Sequence, residues 1–283
     1  MHILVTGLTG FTGRHLKTEL ERHGHRISGL EADLTNIKLL SNDIKRIQPD
    51  AVIHLAGIAF VGHGDANAFY QVNLIGTRNL LAALADSAPD VKSVLLASSA
   101  NVYGNRSSGV ITEKTRPHPA NDYAISKLAM ENMASLWFDQ LPIFIVRPFN
   151  YTGVGQHLNF LIPKIVQHFR EKKRVIELGN LTIARDFGDV RAVCTAYRQL
   201  IELSPEGKTI NVCSGQASRL TDIIALCEKI TSHNIEVKVN PKLVRKNDVD
   251  VLVGSHFYLS QLIDDWQPFL LEDTLTWMLN SSH

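Results

Sequence analysis

Tyr123 and Lys127 stand four residues apart in Tyr123-Ala124-Ile125-Ser126-Lys127. The stretch Asn121 to Trp137 has a helical pattern, so the two side chains share one face. A phenol with a reference pKa of about 10 is a poor base at neutral pH. An ammonium beside it stabilises the phenolate and lowers that value. Ser99 follows the apolar stretch Val91 to Ala97. There its hydroxyl can hydrogen-bond a substrate oxygen and hold it against the phenol. Ser99, Tyr123 and Lys127 are therefore candidates for a proton relay that interconverts an alcohol and a ketone beside a hydride carrier, with Lys127 also bonding the carrier's ribose. Tyr-x-x-x-Lys arises by chance on many surface helices. Its weight here comes from order: a glycine-rich turn, a strand ending in Ser-Ser, then the Tyr-Lys pair opening the next long helix.

The hydride carrier must be held, and the opening MHILVTGLTGFTGRHL supplies the means. Ile3-Leu4-Val5 reads as a buried strand, Gly7, Gly10 and Gly13 follow, and a helical pattern begins at Phe11. Strand, glycine turn and helix begin a dinucleotide-binding βαβ unit. Gly7 permits the sharp turn. Gly10, lacking a Cβ, lets backbone N–H groups approach a pyrophosphate, and Gly13 lets the first helix pack close to the sheet. The helix N-terminus adds free N–H groups and positive dipole charge. Phe11 and Thr12, inside the turn, join the glycines as cofactor-binding candidates. Arg26 to Leu30 is the predicted second strand. Glu31 sits where an acidic residue holds a ribose 2′-OH, whereas Arg14 suits a 2′-phosphate, so NAD and NADP both stand. Asp33 has two readings, a bond to the adenine amino group or the N-cap of a helix over Ile37 to Ile47.

The other elements place the relay. Ala51 to Gly57 is an apolar strand whose small end, Leu55-Ala56-Gly57, leaves room for a cofactor at the C-terminal edge of a sheet. His54, inside that strand, reads as a packed core histidine. The loop Ile58 to Asp65, with Gly62, His63 and Gly64, reads as approaching the sugar end of a ligand. Asn67 to Ala85 is a predicted helix with Tyr70, Leu74, Leu81 and Leu84 buried, and Asn73 on it reads as a structural tie between backbone groups. Ile143 to Val146 is a further strand. This alternation predicts an α/β fold: a Rossmann-type doubly wound parallel sheet over residues 1–150, also receiving about 186–214. A smaller C-terminal α+β substrate lobe is expected from 151–185 and 215–283.

Composition removes other classes. The formal charge is +1, which gives no footprint for nucleic acid or an anionic membrane. Cys194, Cys213 and Cys227 form no CxxC and are odd in number, so three reduced thiols are expected rather than a disulfide or a metal site. No apolar run approaches the ~20 residues of a membrane span, and no signal-peptide pattern opens the chain. The expectation is a soluble, cytoplasmic protein without metal.

TGLTGFTG, VIHLAG, SSANVYG, YAISK, RPFNYTGVGQ, RDFGDV and NVCSG run through the chain in that order. With them it resembles the extended short-chain dehydrogenases/reductases, the nucleotide-sugar epimerase/dehydratase/reductase superfamily, nearly end to end. The resemblance implies Ser99, Tyr123 and Lys127 as catalytic triad, NAD or NADP as cofactor, and Gly7, Gly10, Gly13, Asp33 and Leu34 as cofactor contacts. It places Asn150 and Arg185 at the substrate diphosphate, Asn159 and Phe160 in the nucleotide pocket, and Arg245 and Asp248 in a late motif on the nucleotide ribose or phosphates. For Arg185 a salt bridge with Asp186 or Asp189 is the alternative. Dehydratases of this superfamily carry an acidic pair after the catalytic hydroxyl residue. Ala100 and Asn101 stand there instead, leaving 4-keto reduction or C4 epimerisation. RPFN with GVGQ, NVCSGQ and VGSHFYL look more like GDP-4-keto-6-deoxy-D-mannose reductases. Expected, then, is NAD(P)H-dependent reduction of an NDP-4-keto-6-deoxyhexose, with a 4-epimerase or a non-catalytic NAD(P)-binding sensor as rivals. Relatives pair through the helices near Asn67 to Ala85 and Asn121 to Trp137, which implies a homodimer.

Overall fold

The computed structural model describes residues 1–59, 64–105, 109–244 and 251–281. Its first half runs β1 (His2–Thr6), α1 (Phe11–Arg22), β2 (Arg26–Gly29), α2 (Ile37–Ile47), β3 (Ala51–His54), α3 (Ala66–Phe69), α4 (Thr77–Ser87), β4 (Ser93–Ala97), β5 (Gly109–Ile111), α5 (Asp122–Ala134) and β6 (Ile143–Pro148). The second half runs β7 (Asn150–Thr152), α6 (Leu161–Arg170), β8 (Val175–Leu178), β9 (Ala184–Asp189), α7 (Val190–Leu203), β10 (Thr209–Val212), β11 (Ala217–Arg219), α8 (Leu220–Thr231), β12 (Glu236–Val239), β13 (Val251–Gly254), α9 (Phe257–Leu262) and α10 (Leu271–Asn280).

Strand residues alternate between two faces, and both faces of β1 are apolar. Ile3 and Val5 pack with Leu16 and Leu20 of α1 and with Val193, Tyr197 and Leu200 of α7. Leu4 packs on the other side with Leu40 and Ile44 of α2, Leu80 and Leu84 of α4 and Met130 of α5. Burying both faces is what a parallel sheet requires. The result is a doubly wound six-stranded parallel sheet in the order β10-β6-β4-β3-β1-β2. The order reverses beside β1, which opens a crevice at the C-terminal ends of β1 and β3. The expected sheet is present, and β10 closes its far edge.

A second sheet, β11-β9-β13-β5, carries β7 against β9. It takes β5 from the first half of the chain, pairing with β13. Below it α6, β8, α8 and α10 share their own core, with Ile165, Phe169, Ile176, Ile223, Cys227 and Leu275 fully or almost fully buried.

The helix expected over Asn67 to Ala85 departs from its simple pattern. Tyr70–Gly76 is a π-helical segment joining α3 to α4. A π turn inserts one residue and shifts the facing side chains by about one position. Phe69 and Asn73 are therefore buried, while Tyr70 and Leu74 are only half-buried. One expected cap also moves: Asn36, not Asp33, caps α2 by accepting from Leu39 N.

Candidate active site

The glycine turn is shaped by contacts that exclude a side chain. Gly7 has φ +72°, and a Cβ there would lie 2.9 Å from Ala56 N. A Cβ on Gly13 would lie 2.3 Å from Gly7 O and 2.5 Å from Leu8 O. Gly13 thus packs against the turn itself, a closer demand than helix-on-sheet packing. Gly10 is the N-cap of α1, with no side-chain cap and no acidic residue in the first turn. That helix start is open to an anion. The turn meets the small, partly exposed end of β3 at Ala56-Gly57. These residues fit a dinucleotide pyrophosphate.

The side chains of Phe11 and Thr12 turn toward β7. Phe11 stacks on Tyr151 with centroids 6.1 Å apart, and Thr12 Oγ1 lies 2.8 Å from Tyr151 OH. Arg14 donates to Thr9 O and Gly155 O at 2.8 and 3.1 Å, and His15 bonds Val154 O. Arg14 is therefore occupied as a strap between the turn and the loop after β7. The ribose end beyond β2 carries three carboxylates and an arginine. Glu31 is largely exposed and pairs with Arg46 at 3.3 Å. Asp43 Oδ2 accepts the N–H groups of Glu31 and Ala32 at 3.1 and 2.8 Å. Asp33 accepts from Thr35 N and Oγ1, and those bonds hold its carboxyl below the usual range. The Leu34 side chain is buried under Gly76, so only its backbone can face a cofactor.

Ser99, Tyr123 and Lys127 are brought together, all more than nine-tenths buried. Asn121 caps α5 by accepting from Ala124 N at 2.9 Å, which starts the helix so that Tyr123 and Lys127 face the end of β4. Tyr123 is hydrogen-bonded to Ser99. Ser99 Oγ accepts the backbone N–H and the side-chain amide of Asn101, both at 3.1 Å. With its acceptor sites taken, Ser99 has only its own proton to offer. Burial pushes the Tyr123 phenol up, and the Ser99 bond partly offsets this. The expected lowering by Lys127 is not seen: burial is the larger influence and Ser99 the one that opposes it, while Lys127 Nζ donates to Ala97 O at 2.8 Å. Burial pulls the Lys127 ammonium down to about 8, with Glu131 acting the other way.

Asn73 ties the site, as its sequence reading has it. Its Oδ1 accepts from Ile58 N at 2.9 Å and its Nδ2 donates to Ser126 Oγ at 3.0 Å. A Cβ on Gly57 would fall 2.8 Å from that Oδ1 and 3.3 Å from Lys127 Nζ. His54 is a core histidine. Thr77 donates to Asn73 O, so His54 Nε2 donates to Thr77 (2.9 Å) and Nδ1 accepts from Thr6 (2.7 Å). Burial, with the Lys127 charge behind it, pulls its pKa down to about 3.

Asn150 lies on β7 and Arg185 on β9, the strand that β7 runs along. Asn150 pairs with Phe187 in register, and its amide donates to Asp186 O at 3.2 Å. Arg185 Nη1 donates to Ala184 O. The carboxylates named as alternative partners take other donors. Asp186 accepts from Ser214 N and Oγ, Gly215 N and Gly254 N. Asp189 is held by Arg191 at 2.6 Å and by Thr274. Asn159 is exposed at the approach to α6, and Phe160 is its N-cap. Arg245 and Asp248, like Gly62 and His63, lie outside the described residues.

Known proteins share this fold. The profile of the NAD dependent epimerase/dehydratase family matches residues 3–213, from β1 and the glycine turn through the end of β10. The chain belongs to the NAD dependent epimerase/dehydratase family. This family member is 38% identical to the GDP-6-deoxy-D-talose 4-dehydrogenase of Aggregatibacter actinomycetemcomitans, over 90% of this chain and 88% of that one. It is 34% identical to the GDP-6-deoxy-D-mannose reductase of Pseudomonas aeruginosa, over 94% and 91%. A structure of RMD from Pseudomonas aeruginosa complexed with NADPH superposes with a TM-score of 0.89 at 33% identity, covering 99% of this chain and 98% of that one.

Within this epimerase/dehydratase chain, four residues of the site escaped the sequence reading. Asp43, Tyr151 and Asp186 act through partners far along the chain or through backbone groups, whereas Asn101 acts on Ser99 two residues before it. Only Asn101 had a local signal, as the amide standing where dehydratases carry an acid.

Proposed function

We propose that the protein reduces the 4-keto group of an NDP-4-keto-6-deoxyhexose with NAD(P)H, giving a 6-deoxyhexose nucleotide such as GDP-D-rhamnose or a 6-deoxytalose derivative. One observation carries this reading. Ser99, its acceptor sites filled by Asn101, gives its one proton to the Tyr123 oxygen, and Tyr123 is held as a neutral phenol by burial. Both groups at this point can only donate to an incoming oxygen, Ser99 by turning its proton from the phenol, and the oxygen that suits them is a pure acceptor, a carbonyl. Relatives named for GDP-6-deoxy-D-talose oxidation and for a GDP-6-deoxy-D-mannose reductase support the substrate class.

When bound, the nicotinamide supplies the hydride. Ser99 positions the carbonyl, and Tyr123 gives its proton to the forming alkoxide. The Lys127 charge stabilises the phenolate left behind and orients the ribose. Gly7, Gly10 and Gly13 seat the pyrophosphate, and Glu31 takes the adenosine ribose. Asn150 and Arg185 hold the substrate diphosphate, with Asn159 and Phe160 along the nucleotide. The substrate lies between the lobe of 1–150 with 186–214 and the lobe of 151–185 with 215–283. Two copies pair through the helical stretches near Asn67 to Ala85 and Asn121 to Trp137, where Ile75 of the π segment, Ile125 of α5 and Leu136 just beyond α5 stand exposed. The products suit surface-polysaccharide assembly from the cytoplasm.

The test is absorbance at the reduced-nicotinamide band, with NADPH or NADH and freshly generated GDP-4-keto-6-deoxymannose. Stoichiometric loss of the band is the expected result. Conversion of an NDP-hexose to its C4 epimer without net band loss would replace reduction by epimerisation. Two further outcomes follow from the geometry. The rate declines as pH rises through about 8, because Lys127 then loses the charge that stabilises the phenolate; a flat profile from pH 7 to 9.5 contradicts that role. Arg185→Ala raises KM for the nucleotide sugar about 10- to 100-fold, the range for losing a charge-assisted phosphate contact, with kcat little changed. An unchanged KM would remove Arg185 from the substrate site.

A further inference from the structure

Behind the relay lies a buried ion pair that the chemistry above does not use. Glu131 and Arg147 are 5% and 7% exposed. Arg147 donates to Glu131 from Nε at 2.9 Å and from Nη2 at 2.6 Å, a two-point clamp. Its remaining nitrogen, Nη1, donates to Tyr103 OH at 3.0 Å, and Tyr103 donates to Asn211 Oδ1 at 2.8 Å. The guanidinium is thus anchored on β10 as well as on β6. A pair this deeply buried is weak evidence for stability, because removing two charges from water offsets most of their attraction. Its position suggests another use.

Glu131 is four residues beyond Lys127 and eight beyond Tyr123, on the same face of α5. Each of these three side chains holds one residue at the end of β4. Lys127 Nζ donates to Ala97 O, Ser98 Oγ donates to Glu131 Oε1, and Ser99 bonds Tyr123. The strand end that carries Ser99 is pinned at three successive residues to one helix face. The groups around the Lys127 ammonium are His54 of β3, Tyr123 and Glu131 of its own helix, and Arg147 of β6 behind Glu131. The π segment adds only the neutral amide of Asn73. Glu131 is the anion of that set, and Arg147 is the cation that holds it in place.

We propose that Glu131 is a positioning residue for the relay: held by Arg147, its carboxylate seats Ser98-Ser99 against Tyr123 and keeps the Lys127 ammonium charged in a dry site. This deepens the reading of Ser99, Tyr123 and Lys127 as a relay and rests on it. Burial alone draws the ammonium toward its neutral form, and Glu131 opposes this. The bonds from Glu131 push the Arg147 guanidinium further up against its own burial, so the pair stays ionic.

The experiment reads Lys127 directly, without any substrate. Heteronuclear NMR of lysine-13Cε-labelled protein, assigned with Lys127→Arg, gives the Lys127 titration midpoint. It is measured in the unsubstituted protein, in Glu131→Gln and in the double variant Glu131→Gln/Arg147→Met, with circular dichroism as the check on folding. Glu131→Gln lowers the midpoint by about one unit or more. The double variant has no uncompensated buried cation and keeps the test alive if the single variant does not fold. Its midpoint also falls below that of the unsubstituted protein, by less. In the keto-reduction assay the alkaline limb of kcat/KM moves down by the same interval. Coincident midpoints in folded variants overturn the proposal whether or not the substrate is correct. A shifted midpoint in a protein that does not turn over the keto sugar leaves Glu131 in this role and overturns the substrate reading instead.

Discussion

Tyr123→Phe loses about 10³- to 10⁴-fold in kcat for keto-sugar reduction while cofactor affinity stays within about twofold, at the upper end of what a positioned general acid contributes. The substitution removes one oxygen. It leaves the ring packed 5.9 Å from Phe69 and opens no cavity beyond the hydroxyl. The remaining donor, Ser99, cannot replace it, because its proton has no relay behind it once the phenol is gone. The transition state then builds an alkoxide with one hydrogen bond and no acid. Stopped-flow decay of the reduced-nicotinamide band measures the effect. If Tyr123→Phe reduces the sugar within tenfold of the unsubstituted rate, the proton comes from elsewhere and the relay is wrong. A parallel loss of dinucleotide affinity would instead indicate that the ring helps to build the cofactor site.

Gly13→Ala is expected to abolish dinucleotide binding, with an increase in Kd of at least about 100-fold, or to prevent folding of the turn altogether. The added Cβ would lie 2.3 Å from Gly7 O and 2.5 Å from Leu8 O. Both are backbone atoms, so no side chain can rotate away. Relief requires opening the turn from Gly7 to Gly10, which moves the N–H groups that meet the pyrophosphate. Gly10→Ala separates folding from binding. Its Cβ would meet only Gly7 O, at 3.1 Å, so a shift of a few tenths of an ångström accommodates it in the turn and the melt is little changed, while the Cβ stands where the pyrophosphate approaches and weakens binding. Calorimetric titration with NADH and NADPH, with a thermal melt of each variant, separates the two positions. Equal affinity in Gly13→Ala and the unsubstituted protein would show that the turn does not seat the phosphates.

The sequence alone determined the sheet and singled out the candidate reacting groups. Apolar runs short enough for strands, each followed by a helical pattern, leave a parallel sheet covered on both faces as the way to bury every side chain. Three glycines after the first strand specify a turn that no other residue fits at Gly7 or Gly13. Tyr123 and Lys127 are joined by helix periodicity, and Ser99 by its place at a strand end. All of these are relations within a few residues of the chain.

The tertiary structure decided the rest, because it turns on groups far apart in sequence or on backbone atoms that carry no letter. Tyr70–Gly76 takes a π turn, which turns Asn73 instead of Leu74 inward to tie Ile58 to Ser126. Asp33 and Asn36 are equally good caps on paper, and Asn36 alone reaches Leu39 N. Arg14 looked available to a 2′-phosphate until the loop after β7 brought Gly155 O within 3.1 Å. The ammonium of Lys127 is aimed by Ala97 O, thirty residues away. Its charge is shared with a carboxylate clamped from β6. A side chain's chemistry belongs to its residue type, but its proton affinity and its aim belong to whatever the fold packs around it.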